Sequence, residues 1–174
     1  HQFAKKEPIL KLPHALIQAD GARIMSLTDG TKKMSKSDPS DLSRLNLLDT
    51  PDLIQKKIKK CKTDLERGLT FEAIDRPECR NLLTLYMLMS GKSKETVTNE
   101  CQDLSWGQFK PLLAEATIEH LRPIQAKYQE VMTDKTYLES ILQSGRDRAA
   151  TIADQTLAQV KAALGFAKRA GSEE

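Results

Sequence analysis

The stretch Asp29–Ser40, DGTKKMSKSDPS, sets Lys32, Lys33 and Lys36 among hydroxyl side chains on a segment with almost nothing apolar to bury. Lys33 and Lys36 lie three residues apart with Met34 as the only apolar residue between them, so a loop that curls there aims both ammonium groups the same way. Ser35 and Ser37 add hydroxyl donors, and turn backbone contributes N–H groups of the kind that cradle phosphates. Such a set suits a triphosphate. Flexible point charges can follow negative charge as it moves onto a leaving pyrophosphate. On composition alone the same loop also reads as a solvated basic turn, because short lysine-rich loops are common.

The elements on either side must decide how the loop is held. Before it, Ala22–Leu27 (ARIMSL) is bounded by Gly21 and Asp29-Gly30 and reads as a short buried strand. A strand running into a loop sets that loop at the carboxyl edge of a sheet, where open α/β folds bind ligands. Residues 1–6 read as the end of a helix, followed by breakers at Pro8 and Pro13. After residue 48, helix signals take over. Asp49 or Thr50 can cap a helix with Pro51 in its first turn and lysines at its end. A second helix starts after Pro77 and stops at Gly91, with Leu82, Leu85, Tyr86 and Met89 on one face. Ser93 can cap a third, and Ser105 with Gln108 forms an S-x-x-Q capping box for a fourth. That fourth helix, 106–132, carries the stripe Phe109, Leu112, Leu113, Ala116, His120, Leu121, Ile124 and Tyr128, with Pro123 predicting a kink. A fifth opens at Asp134 and closes at Gly145, a sixth runs from Arg146 to Gly165, and the tail from Ala167 frays. The expectation is mainly α: the end of a Rossmann-like α/β domain followed by a helical bundle.

Composition excludes several classes. With 39% hydrophobic and 29% charged residues, the 174-residue chain can build a core, and 5% aromatics argues against a large β-sandwich. Cys61, Cys79 and Cys101 are odd in number with no C-x-x-C spacing, and His1, His14 and His120 are scattered. No disulfide framework or metal site is expected, and a reducing cytoplasm is. No apolar run has membrane-spanning length. The net charge of +3 permits nucleic-acid contact without demanding it. A start at His1 within a helical pattern suggests a piece of something longer.

Lys33-Met34-Ser35-Lys36-Ser37 resembles the KMSKS signature of class I aminoacyl-tRNA synthetases, and its strand-then-helix context fits. The flanks, GARIMSLTDGTKKMSKSDPS with KKIKKCKTD, RNLLTLYMLMSG and LRPIQAKYQEVM, resemble the bacterial tryptophanyl branch of that family; the tyrosyl branch is less similar there. The resemblance covers nearly the whole chain and is weakest at 65–80 and beyond 166. It implies that Lys33, Met34, Ser35, Lys36 and Ser37 form the mobile ATP loop. Lys33 and Lys36 would stabilise departing pyrophosphate, and the Ile24 backbone would meet the adenine. It further implies a tryptophan–tRNA ligase using ATP with Mg²⁺, partnered by tRNA(Trp) and tryptophan, a cytoplasmic homodimer at full length. Residues 1–48 would end the catalytic domain, 49–145 would form the tRNA-binding helical domain, and 146–174 a C-terminal helix able to pack back on the catalytic domain. The family's His-Ile-Gly-His-like word and tryptophan pocket are missing, so this stretch alone is expected to be inactive. Tyrosyl specificity and a non-catalytic RNA-binding helical module stay open as alternatives.

Other residues carry weaker expectations. Lys56, Lys57, Lys59, Lys60 and Lys62 could face tRNA phosphates or simply form a solvated helix face. Arg146, Arg148 and 122–128 fall in the region the resemblance assigns to tRNA. Trp106 reads as a packing residue rather than a base-stacking platform, His120 as a core or edge histidine, and the cysteines as small buried hydrophobes.

Overall fold

A computed structural model describes residues 9–166; the helix end expected at 1–6 and the tail from Ala167 lie outside the described residues. The described residues fall into two compact units, one of residues 17–129 and one of 9–16 with 130–166. In chain order the helices are α1 (Pro51–Lys60), α2 (Pro77–Ser90), α3 (Lys94–Cys101), α4 (Trp106–Thr133) and α5 (Lys135–Ala163), preceded by a 3₁₀ turn at Asp41–Ser43.

Local chemistry fixes the ends of these helices. Thr50, not Asp49, caps α1, accepting from the Leu53 N–H at 3.3 Å, with Pro51 as the first helical residue. Gly91 ends α2 in the left-handed region at φ 68°. Ser93 caps α3 through the Thr96 N–H, and Asp134 caps α5 through the Tyr137 N–H. The Ser105 box is half made: Gln108 Oε1 accepts from both the Ser105 N–H and its hydroxyl, while the Ser105 hydroxyl oxygen takes no backbone N–H in return.

In the 17–129 unit, α2 is the central element. Cys79, Leu82, Leu83, Leu85, Tyr86 and Met87 are all buried, as the apolar stripe requires. They share one core with Ile54 and Ile58 of α1, Val97 and Cys101 of α3, and Phe109, Leu113 and Leu121 of α4. Phe109 is wedged edge-on between Tyr86 (5.6 Å) and Trp106 (5.9 Å). Each large side chain sealed this way contributes about 1.5–3 kcal/mol. The inward stripe of α4 is narrower than its apolar residues suggested: Leu112, His120, Ile124 and Tyr128 are exposed, and Ala114 and Thr117 face the core instead. Met89 of α2 is half-buried.

In the other unit, α5 is one helix where the sequence suggested two. Gly145 is not among the residues at positive φ, so it does not end a helix; Gly165, at φ 76°, does. A helical glycine costs only about 1 kcal/mol against alanine, and the good helix formers on both sides override it. None of the α5 residues is buried.

Ala22–Leu27 differs from the expected strand. Among the described residues it makes a single antiparallel bridge, Met25 to Lys33, and no ladder, and the chain bends at 22–23 and again at 27. The chain turns at Asp29–Gly30 and pairs with its own continuation, so the lysine loop begins inside a minimal hairpin.

Candidate functional site

The hairpin fixes the entry to the loop. Ser26 N–H donates to the Lys32 carbonyl at 2.8 Å and Met34 N–H to the Ile24 carbonyl at 2.9 Å, one residue either side of the bridge. In that pattern the N–H and C=O of Met25 and Lys33 themselves point outward. Those of Met25 are both met by one buried side chain: Asn81 of α2 accepts from Met25 N–H at 2.8 Å and donates to its carbonyl at 2.9 Å, in place of a neighbouring strand. Leu27 is tied in as well, its N–H to the Ser43 carbonyl and its carbonyl to the Lys62 N–H. Nothing among the described residues bonds the outward backbone groups of Lys33.

The turn is pinned equally closely. Asp29 accepts from the Thr31 hydroxyl (2.6 Å) and N–H and pairs with Lys32 at 3.0 Å; the Thr31 bond chiefly, then Lys32, pulls its carboxyl down to about 2. Gly30 lies against the start of α2, where an added Cβ would meet the Glu78 backbone nitrogen at 2.7 Å, so no side chain fits. Its N–H donates to Glu78, which also pairs with Lys62 at 2.7 Å. Burial pushes the Glu78 carboxyl up, but the Lys62 bond and two backbone N–H groups outweigh it and leave the carboxyl below its ordinary value.

Within the loop the side chains sort by type. Met34 is half-buried and packs on the core, as does Ile24, while Lys33, Ser35, Lys36 and Ser37 are exposed. The Ser35 and Ser37 hydroxyls lie 3.0 Å apart, and Asp38 N–H donates to the Ser35 carbonyl, closing a turn with Lys36 at its tip. Two hydroxyls sharing one bond leave one O–H free to donate outward. Lys32 is paired with Asp29, whereas Lys33 and Lys36 make no ion pair or hydrogen bond among the described residues. The open side chains of the loop are therefore hydroxyls and cations, which with the outward Lys33 N–H form a set that suits a polyphosphate.

The exit leads into a buried ionic hub that the sequence reading missed. Arg44 donates to the Asp38 carbonyl at 2.9 Å and pairs with Asp41 at 3.1 Å. Lys57, from the lysine run of α1, has a fully buried side chain and contacts Asp49 at 2.6 Å and Asp41 at 2.8 Å. Asn46 bridges the same two carboxylates through its side-chain amide and donates its backbone N–H to Asp49. The Lys57 bond, followed by that of Asn46, lowers the Asp41 carboxyl. Lys57 thus belongs to neither a solvated face nor a phosphate-facing one, whereas Lys56, Lys59, Lys60 and Lys62 are exposed. A lysine one turn from the partly buried Leu53 and beside Ile58 was the available hint, with Asp49 upstream as its partner.

A separate groove of about 960 Å³ runs between α1 and α4, lined by Gln55, Lys59, Trp106, Lys110, Ile118 and Arg122 among others, and by no residue of 24–40. Lys110 caps α1 across it, donating to the Cys61 carbonyl at 2.8 Å. Trp106 is a packing residue: its indole N–H donates to Asp64, and the Arg76 guanidinium, itself bound to Asp64, lies 6.0 Å from its ring centre. All three cysteines are buried, and burial raises each thiol, Cys101 to about 11. Among the described residues no group of three or more His, Cys, Asp or Glu could hold a metal ion, and no helix is long and apolar enough to cross a membrane.

The KMSKS word led us to expect a mobile loop after a strand; the structure has a cation-tipped loop entered through a single bridge, with both ends fastened to a helical body. Residues 1–122 match the tRNA synthetases class I (W and Y), and the chain belongs to that family. Within it, the chain is 67% identical over 166 residues to a tryptophan–tRNA ligase of Nostoc sp., covering 95% of this chain and 50% of the relative. It is 61% identical to the same ligase of Thermosynechococcus vestitus, over 94% of this chain and 50% of the relative. The crystal structure of tryptophanyl-tRNA synthetase from Mycoplasma pneumoniae superposes with a TM-score of 0.80 at 29% identity, covering 95% of this chain and 49% of that one. The chain thus spans about half the length of the relatives it matches.

Proposed function

We propose that this chain is the C-terminal half of a cytoplasmic, homodimeric tryptophan–tRNA ligase, with Lys33–Ser37 as its ATP-phosphate loop. The carrying observation is that Lys33 and Lys36 are exposed, without partners among the described residues, on a loop whose two ends are fixed. In the reaction, a tryptophan carboxylate oxygen attacks the α-phosphorus of ATP, the bond to the β-phosphate oxygen breaks, and pyrophosphate leaves. A ribose hydroxyl of tRNA(Trp) then takes the tryptophanyl group and AMP departs. Lys33 and Lys36 neutralise the charge gathering on pyrophosphate, and the free serine hydroxyl and the outward Lys33 N–H add donors. Ile24, with its side chain packed inward, offers only backbone to the adenine. Mg²⁺ arrives with the nucleotide, bound to its phosphates. Residues up to 48 belong to the end of the Rossmann-like catalytic domain and 49–145 to the tRNA-binding domain; 146–174 form the terminal segment, the last boundary falling inside α5.

The test is tryptophan-dependent ATP–pyrophosphate exchange by the full-length protein. Lys33→Ala and Lys36→Ala are each expected to lower kcat by about 10²–10³, the size seen when one preorganised donor to a developing anion is removed. Exchange with tyrosine instead of tryptophan would move the chain to the tyrosyl branch. Exchange indifferent to both lysines would return the loop to a solvated turn.

A further inference from the structure

Lys57 is the charged side chain most completely removed from water, and neither the synthetase signature nor the reaction uses it. Its ammonium joins two carboxylates of different standing. Asp49, 5% exposed, sits immediately before the cap of α1, whereas Asp41, 51% exposed, begins the 3₁₀ turn that follows the loop. From Asp41 the connection continues to Arg44 and through it to the carbonyls of Asp38, which closes the Lys36 turn, and of Ser40, which opens the 3₁₀ turn. Ser43, fully buried, locks the same turn by donating its hydroxyl to the Ser40 carbonyl at 2.6 Å. Two cations and two anions meet here, so the hub is balanced only when Lys57 is charged and present.

Burying such a group costs stability that a well-packed apolar residue would not, and its return is a fixed geometry. The geometry it fixes is that of the loop exit: α1, a rigid helix, is tied through one ammonium to the segment carrying Lys36. We infer that Lys57 is a positioning residue for phosphate transfer, holding the Lys33–Ser37 loop at the register in which Lys36 meets the departing pyrophosphate. This rests on the reading of that loop as the ATP-phosphate clamp. Lys57 touches no substrate; it acts through Asp41 and Arg44.

Lys57→Met alone leaves the buried Asp49 charge unpaired and can unfold the protein, so the informative variant is Lys57→Met with Asp49→Asn, which removes both buried charges. In the full-length protein two readouts are taken. The first is tryptic cleavage after Lys33 and Lys36, scored against global stability by urea unfolding; the second is kcat and KM for ATP and for tryptophan in pyrophosphate exchange. The double variant is expected to unfold near the wild-type midpoint, to be cut in the loop roughly tenfold faster, and to lose about 10- to 100-fold in kcat with the tryptophan KM unchanged. Loop cleavage at the wild-type rate overturns the inference. So does faster cleavage with unchanged kinetics in a protein whose exchange collapses on Lys33→Ala. Faster cleavage with exchange indifferent to Lys33→Ala, Lys36→Ala and the double variant alike overturns the clamp reading itself, and the positioning role with it.

Discussion

Lys36 and Lys57 are the same chemical group, and the molecule treats them in opposite ways. Lys36 stands at the tip of an exposed turn with no partner among the described residues; Lys57 is sealed between Asp41 and Asp49. A solvated ammonium costs the fold nothing and stays free for a ligand. A desolvated one is committed: it cannot leave without stranding the carboxylates that depend on it. The difference separates what the loop presents from what holds it, and it explains how a segment with so little apolar surface keeps a defined path. Met34, the hairpin and the hub fix the ends, so the side chains of Lys33, Ser35, Lys36 and Ser37 are the ones left exposed.

Unfolding measurements can break this contrast. Lys57→Met is expected to destabilise by about 3–5 kcal/mol, the cost of an uncompensated buried charge, while Lys33→Ala and Lys36→Ala stay within about 0.5 kcal/mol of wild type in the same urea titration. Equal midpoints for all three would remove the distinction. A smaller effect tests the entry side. Asn81→Ala strands the N–H and C=O of Met25 and is expected to cost about 1–3 kcal/mol, with faster hydrogen exchange at the Met25 amide; unchanged exchange there would mean the hairpin alone holds the entry. The smallest lies in α5. Gly145→Ala has open space for its methyl group and helical backbone on both sides, so it is expected to stabilise by about 0.5–1 kcal/mol. A loss of helicity by circular dichroism would show that the helix break read from the sequence is real.

What could be read in the sequence was what short-range chemistry dictates. Pro51, Pro77, Gly91, Ser93, Asp134 and Gly165 marked helix ends because caps and left-handed residues act within a few positions. The α2 stripe marked the core, and the KMSKS word marked the loop. What escaped depended on partners distant in sequence. A strand was expected at 22–27 from its apolar run, but the neighbour that meets Met25 is an asparagine on α2, which no local pattern announces. Lys57 sat inside a basic run, and only the return of Asp41 and Asp49 beside α1 makes it internal. Gly145 failed as a stop because its meaning depends on φ, which composition does not carry.

The pairing of Asn81 with Met25 also governs how the molecule meets copies of itself. An extended segment with open N–H and C=O groups is a template on which another chain can add a strand, the usual first step toward aggregates. On the Met25 side that template is already filled, by an amide that offers one donor and one acceptor at the spacing a strand would use and then ends. The bridge that opens the loop is thereby kept from growing into a sheet along that edge.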